Sequence, residues 1–284
     1  MGYRVCAPNI NTDEHNRESA VGLINFADQQ MEDLVKHEGG HSYVEKGEGP
    51  VLLVLHGLFG ALSNFNHVFD QFSDRYKVVI PLMPLYTLPL LKTSVKNLAK
   101  YIHEFVEFKE YDKVNLLGNS LGGHVSLIYS VEHPERVNTM TLTGSSGLYE
   151  NAFGGSFPRR EDRDYIRTKV EYTFHDPKHC TPELLDEVIA IIADKEKLIR
   201  ILAMAKSAIR HNMSKDLPGI NIPVCLIWGK QDNVTPPHVA DVFNETLPDS
   251  DLFWVDECGH APMMEQPEEF NKILDPWLSE HVKH

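Results

Sequence analysis

The amino-acid sequence predicts an α/β protein in which a mostly parallel sheet carries helices on both faces. Three observations lead there. Short, continuous apolar runs recur along the chain, the pattern of strands covered on both sides. Segments with apolar residues at helical spacing lie between these runs. One long stretch then breaks the alternation with helical patterns alone, as an insertion would.

Residues 1–33 form a polar N-terminal extension, with a helical pattern from Ser19 that carries Val21, Leu23, Ile24, Met31, Leu34 and Val35. Extended segments at 34–38 and 42–46 flank a Gly-Gly turn. Buried strands follow at "VLLVLHG", "YKVVIP", "VNLLG", "MTLTG", "VCLIWG" and "LFWV". Helical patterns occupy 64–72, 94–108, 121–132 and 237–246, and a last helix spans 267–280. The insertion, 148–212, reads as helices at 164–174, at 182–193 behind a Thr181 cap, and at 195–211 behind an Asp194 cap. Its last helix shows a stripe of Leu198, Ile201, Leu202, Ala205, Ala208 and Ile209. Residues 34–147 and 213–284 are left as the sheet core.

With 284 residues, 42% hydrophobic and 24% charged, the chain has the composition of an ordinary globular protein with a sizeable core. A formal net charge of -14 argues against nucleic acid or an anionic membrane surface as partner. No apolar stretch reaches transmembrane length, and the polar N-terminus lacks a secretory signal core, so a cytoplasmic location is expected. Cys6, Cys180, Cys225 and Cys258 are scattered without paired spacing, as free thiols in a reducing compartment would be.

The chemistry centres on "VNLLGNSLGGHVSLIYS", residues 114–130. Ser120 lies between a predicted strand and a predicted helix, with Gly118, Gly122 and Gly123 around it. A serine forced into a sharp strand-to-helix bend presents its hydroxyl at the end of the sheet, which is what a nucleophile needs. It also needs a base, a group that orients the base, and donors for the oxyanion that forms. His260, in the loop after the last strand, is the candidate base. Asp232, just past "VCLIWG", is the candidate acid, with Asp256 and Glu257 as rivals. Leu121, directly after the serine at a helix N-terminus, is one oxyanion donor through its backbone N–H. The other falls in "HGLFG": Leu58, with Phe59 as second choice and as a pocket residue. His56 and Gly57 are expected to shape that loop, a catalytic His56 being the alternative.

In their order, "HGLFG", "GNSLGG", "GKQDNVTP" and "CGHAPMMEQPEEF" resemble the α/β-hydrolase superfamily from about residue 34 to the C-terminus. The resemblance implies an eight-stranded sheet with a helical cap after the sixth strand, and Ser120, Asp232 and His260 as a catalytic triad. No metal and no organic cofactor is implied. Serine at position 120 argues against the dehalogenase and epoxide hydrolase branches, which carry Asp there. Hydrolases of meta-cleavage products are similar but commonly have Trp after the histidine, where this chain has Ala261. "LMPLYTLPLL", after "YKVVIP", stands where an Asp and a Gly-rich turn are usual; it lines the acyl or alcohol pocket or simply packs beneath the cap. The expected function is hydrolysis of a small, uncharged, apolar ester through an acyl-enzyme. The alternatives are a carbon–carbon bond hydrolase and a slow-turnover small-molecule receptor.

Overall fold

The computed structural model describes residues 31, 33–60, 62–151 and 162–282. The strands are β1 (Lys36–Glu38), β2 (His41–Lys46), β3 (Val51–Leu55), β4 (Lys77–Pro81), β5 (Val114–Asn119), β6 (Val137–Thr143), β7 (Val224–Gly229) and β8 (Ser250–Val255). They form one eight-stranded sheet in the order β1-β2-β4-β3-β5-β6-β7-β8. β1 and β2 make an antiparallel hairpin, β2 pairs antiparallel with β4, and β3 to β8 run parallel. The expected fold class is therefore the observed one.

The helices are α1 (Asn66–Phe72), α2 (Val95–Phe108), α3 (Leu121–Glu132), α4 (Arg163–Glu171), α5 (Pro182–Ala193), α6 (Lys195–Arg210), α7 (Pro237–Thr246), the four-residue α8 (Pro262–Glu265) and α9 (Pro267–His281). Strand side chains alternate between faces, and the two layers of helices follow from that. Leu53, Leu55, Leu116 and Leu226 pack with α2, α3 and α7 on one face. Leu52, Val54, Leu117 and Ile227 pack with α1 and α9 on the other. Strands buried on both sides must be apolar throughout, so these runs lack a polar alternation.

Three expectations need correction. β8 is an edge strand with half-buried side chains, not a strand covered on both faces. Its apolar letters mislead because α7 and α9 shield it only partly. In α6 the buried residues are Ile201, Met204, Ala205 and Ala208, and Ile209 is 58% exposed. The short helix α8 is absent from the sequence reading. α4 to α6 lie between β6 and β7, with α4 capped by Asp162, α5 by Thr181 and α6 by Asp194. Most of the helix expected from Ser19 lies outside the described residues, although Met31 is buried in the core. Cys180, Cys225 and Cys258 are free. Among the described residues, no helix is long and apolar enough to cross a membrane.

Candidate active site

The strand order reverses direction at β3 and β5, so the loops leaving their carboxyl ends diverge and leave a crevice. Ser120 caps α3 directly after β5, at φ 54 and ψ -119. A non-glycine residue held there is strained by about 1–3 kcal/mol, and such strain persists only where its surroundings enforce it. The enforcement is visible. The Ser120 N–H donates to Thr143 O at 3.1 Å, and its carbonyl accepts from His124 N at 3.2 Å and from Ser146 N at 3.1 Å. A Cβ on Gly122 would collide with the carbonyl of Leu55, so only glycine lets α3 approach β3 this closely. A Cβ on Gly57 would stand 3.3 Å from the Ser120 Cβ, which places the loop after β3 against the serine.

Asp232 and His260 meet from two different loops. His260 Nδ1 and Asp232 Oδ2 are 2.9 Å apart, and both residues are buried. The turn after β7 holds the carboxylate in place. Val234 N and Thr235 N donate to Oδ1 at 2.8 and 2.9 Å, and the Thr235 hydroxyl donates to Oδ2 at 2.8 Å. Burial opposes protonation of His260, but the charge and hydrogen bond of Asp232, with Glu150 and Glu265 adding, prevail and raise its pKa. With Nδ1 engaged by the carboxylate, Nε2 is the nitrogen left to exchange a proton with a ligand.

The loop bearing His260 is tied down by its backbone. His260 N donates to Thr173 O at 2.9 Å, and Asn119, beside the serine, donates its side-chain amide to His260 O at 3.1 Å. Glu265 on α8 accepts from Gly259 N at 2.8 Å and from His175 N at 2.7 Å. Burial raises the Glu265 pKa, with these backbone donors pulling against it. Thr235, which bonds Asp232, and Glu265, which ties down the His260 loop, are residues that sequence reasoning missed. "DNVT" carries a faint signal for the first, since an Asp followed by Thr three residues on suits a self-capped turn. No local pattern marks the second.

Ser120, His260, Leu58, Phe59 and Leu121 all line one cavity. Among the described residues, neither the Leu58 nor the Leu121 N–H has a hydrogen-bond partner. Apolar side chains from the helices between β6 and β7 (Ile166, Val170, Leu184, Val188 and Ile192) close much of its wall. The rival acids are elsewhere: Asp256 is exposed and pairs with Lys230 at 3.0 Å, and Glu257 is also exposed. His56 shapes its loop, accepting from Met83 N on Nε2 at 3.1 Å while Nδ1 donates to Gly57 O at 2.9 Å. "LMPLYTLPLL" lines no part of the cavity; Met83 and Leu85 pack in the core beside α2. Arg163, Arg167, Arg200 and Arg210 do not line it either.

A strained serine turn after β5 and a buried Asp–His pair from the last two strand ends, on this strand order, define an α/β-hydrolase. Comparison with known proteins agrees. The family model for the alpha/beta hydrolase fold matches residues 50–171. Monoacylglycerol lipase abhd6-B of Xenopus laevis is 30% identical over 270 residues, covering 84% of this chain and 80% of that protein. The 2-hydroxy-6-oxo-6-(2'-aminophenyl)hexa-2,4-dienoic acid hydrolase of Metapseudomonas resinovorans is 27% identical over 261 residues, covering 84% of this chain and 87% of that protein. The crystal structure of MGS-MChE2, an alpha/beta hydrolase enzyme from a sediment metagenome of the Mar Chica lagoon in Morocco, matches with a TM-score of 0.72 at 49% identity, covering 87% of this chain and 98% of that one. The chain belongs to the α/β-hydrolase family and is a hydrolase.

Proposed function

We propose that the protein is a serine esterase that cleaves a small, uncharged, apolar carboxylic ester through an acyl-enzyme. One observation carries the reading: the Asp232–His260 pair at 2.9 Å borders the same cavity as a serine held at φ 54. His260 Nε2 takes the Ser120 proton as Oγ attacks the acyl carbonyl. Asp232 holds the imidazole in the tautomer that leaves Nε2 free and stabilises the imidazolium. The Leu58 and Leu121 N–H groups receive the oxyanion, worth about 3–4 kcal/mol of barrier per donor. The alcohol leaves with the proton from His260, and water then releases the acyl group by the same base. The scheme draws on no metal or organic cofactor. Residues 148–212 act as a cap whose apolar side chains select the substrate.

Likeness to a monoacylglycerol lipase supports an ester, and likeness to a dienoic acid hydrolase supports carbon–carbon cleavage as the second reading. One observation favours the ester. Ala261 faces the cavity where the meta-cleavage enzymes commonly carry Trp; the described arginines of the helical insertion do not reach the cavity, and Lys169 is the lysine that lines it. Side-by-side kinetics on an aryl butyrate and a 2-hydroxy-6-oxo-dienoate decide between them. The ester should show the larger kcat/KM, by about tenfold or more, since the aromatic wall that would hold the dienoate is reduced to a methyl group at Ala261. A larger value for the dienoate would replace the ester reading. A single covalent turnover followed by very slow release would instead indicate a receptor.

A further inference from the structure

Glu150 lines the same cavity as Ser120 and His260, yet ester cleavage as derived above makes no use of it. A carboxylate in a mostly apolar pocket that also holds Ser120 and His260 needs a reason. The chain reaches this position from β6, and its neighbour fastens it. Asn151 N donates to Val234 O at 2.6 Å, and the Asn151 amide donates to the Tyr172 hydroxyl at 3.2 Å. That hydroxyl in turn donates to Asn233 O at 3.3 Å. Backbone beside Glu150 is thus pinned to the turn that carries Asp232, which keeps the carboxyl near the His260 ring.

The charges around it are few. Glu150 is one of the carboxylates whose field favours the His260 imidazolium, with Asp232 the strongest and Glu265 also contributing. Burial pushes the Glu150 carboxyl up, and Ser146 and His260 pull it back. Among the described residues, no cation pairs with it. The lysine of the cavity, Lys169 on α4, has its ammonium 5.5 Å from the centre of the Tyr165 ring and forms no ion pair with Glu150. Where Glu150 is ionised, a substrate entering this end of the cavity therefore meets a negative charge that no ion pair neutralises, in surroundings that screen it poorly.

We propose that Glu150 sets the charge specificity of the reacting end of the cavity. It disfavours substrates with an anionic group close to the scissile bond and favours neutral or cationic ones. The inference rests on the ester-hydrolase reading and adds a substrate class to it.

The test uses three nitrophenyl esters of matched acyl length, ending in a sulfonate, a tert-butyl group or a trimethylammonium group. The sulfonate stays ionised throughout the working range. For the wild type, kcat/KM should be lowest for the sulfonate. Glu150→Gln should raise the sulfonate-to-tert-butyl ratio about tenfold and lower the trimethylammonium-to-tert-butyl ratio, as loss of one nearby charge predicts. Glu150→Asp, which keeps the charge, should retain the wild-type order. Ratios also remove the protonation of free His260, which all three substrates share. In the wild type the sulfonate penalty should shrink as pH falls through the raised Glu150 pKa, and in Glu150→Gln it should be independent of pH. Turnover of all three esters with the same ratios in wild type and Glu150→Gln would overturn the charge filter and leave the esterase standing. Absence of turnover with any of them would bring down the esterase reading, and this inference with it.

Discussion

Two histidines lie just past the carboxyl ends of strands, His56 after β3 and His260 after β8, and they are nearly equally buried, at 4% and 6% exposure. Their surroundings set them up for opposite states. His56 has only backbone partners, the Met83 N–H and the Gly57 carbonyl, and burial lowers its pKa. His260 has Asp232, and its pKa is raised in spite of burial. Burial alone therefore makes a neutral structural histidine. A carboxylate on the ring nitrogen that faces away from the ligand makes a base.

That contrast breaks most severely at His260. On the proposed mechanism His260→Ala should lower kcat about 10⁶-fold, because members of a triad act as a unit. If kcat survives, the contrast has the wrong histidine as base. Asp232→Asn should cost about 10⁴-fold. It should also move the acid limb of kcat/KM. His260 must be neutral to accept a proton, so activity rises as pH climbs through its pKa. The wild-type midpoint should lie above the ordinary 6.5, and in Asp232→Asn, where burial acts without the carboxylate's charge, it should fall below that value. A midpoint that does not move would assign the orientation of His260 to another group.

Thr235→Val sharpens the comparison by removing one hydroxyl donor to Asp232 and keeping the two backbone donors. One lost hydrogen bond to a carboxylate is worth about 1.5–3 kcal/mol, so kcat should fall about 10- to 100-fold. The smallest kinetic effect belongs to His56. His56→Ala should change kcat less than about tenfold while lowering stability by about 1–3 kcal/mol through the unpaired Met83 N–H, read by denaturant unfolding. A collapse of kcat equal to that of His260→Ala would make His56 part of the chemistry.

The same contrast shows what was legible in the sequence. His260 and Asp232 could be singled out because each follows a strand whose apolar run is unmistakable, and Ser120 because its turn is spelled out by glycines. Their chain neighbours then say little. Asp256 and Glu257 are closer to His260 in sequence than Asp232, yet they point to solvent, because adjacency along a chain carries no information about hydrogen-bond geometry. Glu265 and Glu150 come to the site through packing of segments distant in sequence, which no local pattern records, whereas Thr235 bonds Asp232 within one turn and only the "DNVT" spacing hints at it. "LMPLYTLPLL" shows the same limit for apolar residues: its letters do not tell which of them are buried or against what, and Met83 and Leu85 pack in the core beside α2 while Leu90 and Leu91 are exposed. In β8 even the degree of burial departs from what the letters suggest, since an apolar run does not reveal that its strand lies at the sheet edge.

Labelling with a fluorophosphonate probe tests the central claim most directly, since an activated serine attacks phosphorus as it would an acyl carbon. The wild type should be labelled stoichiometrically, with the modified peptide containing Ser120, and Ser120→Ala should remain folded and unlabelled. Labelling of Ser120→Ala at the wild-type rate would contradict the account, because the nucleophile would then lie somewhere other than the strained turn after β5.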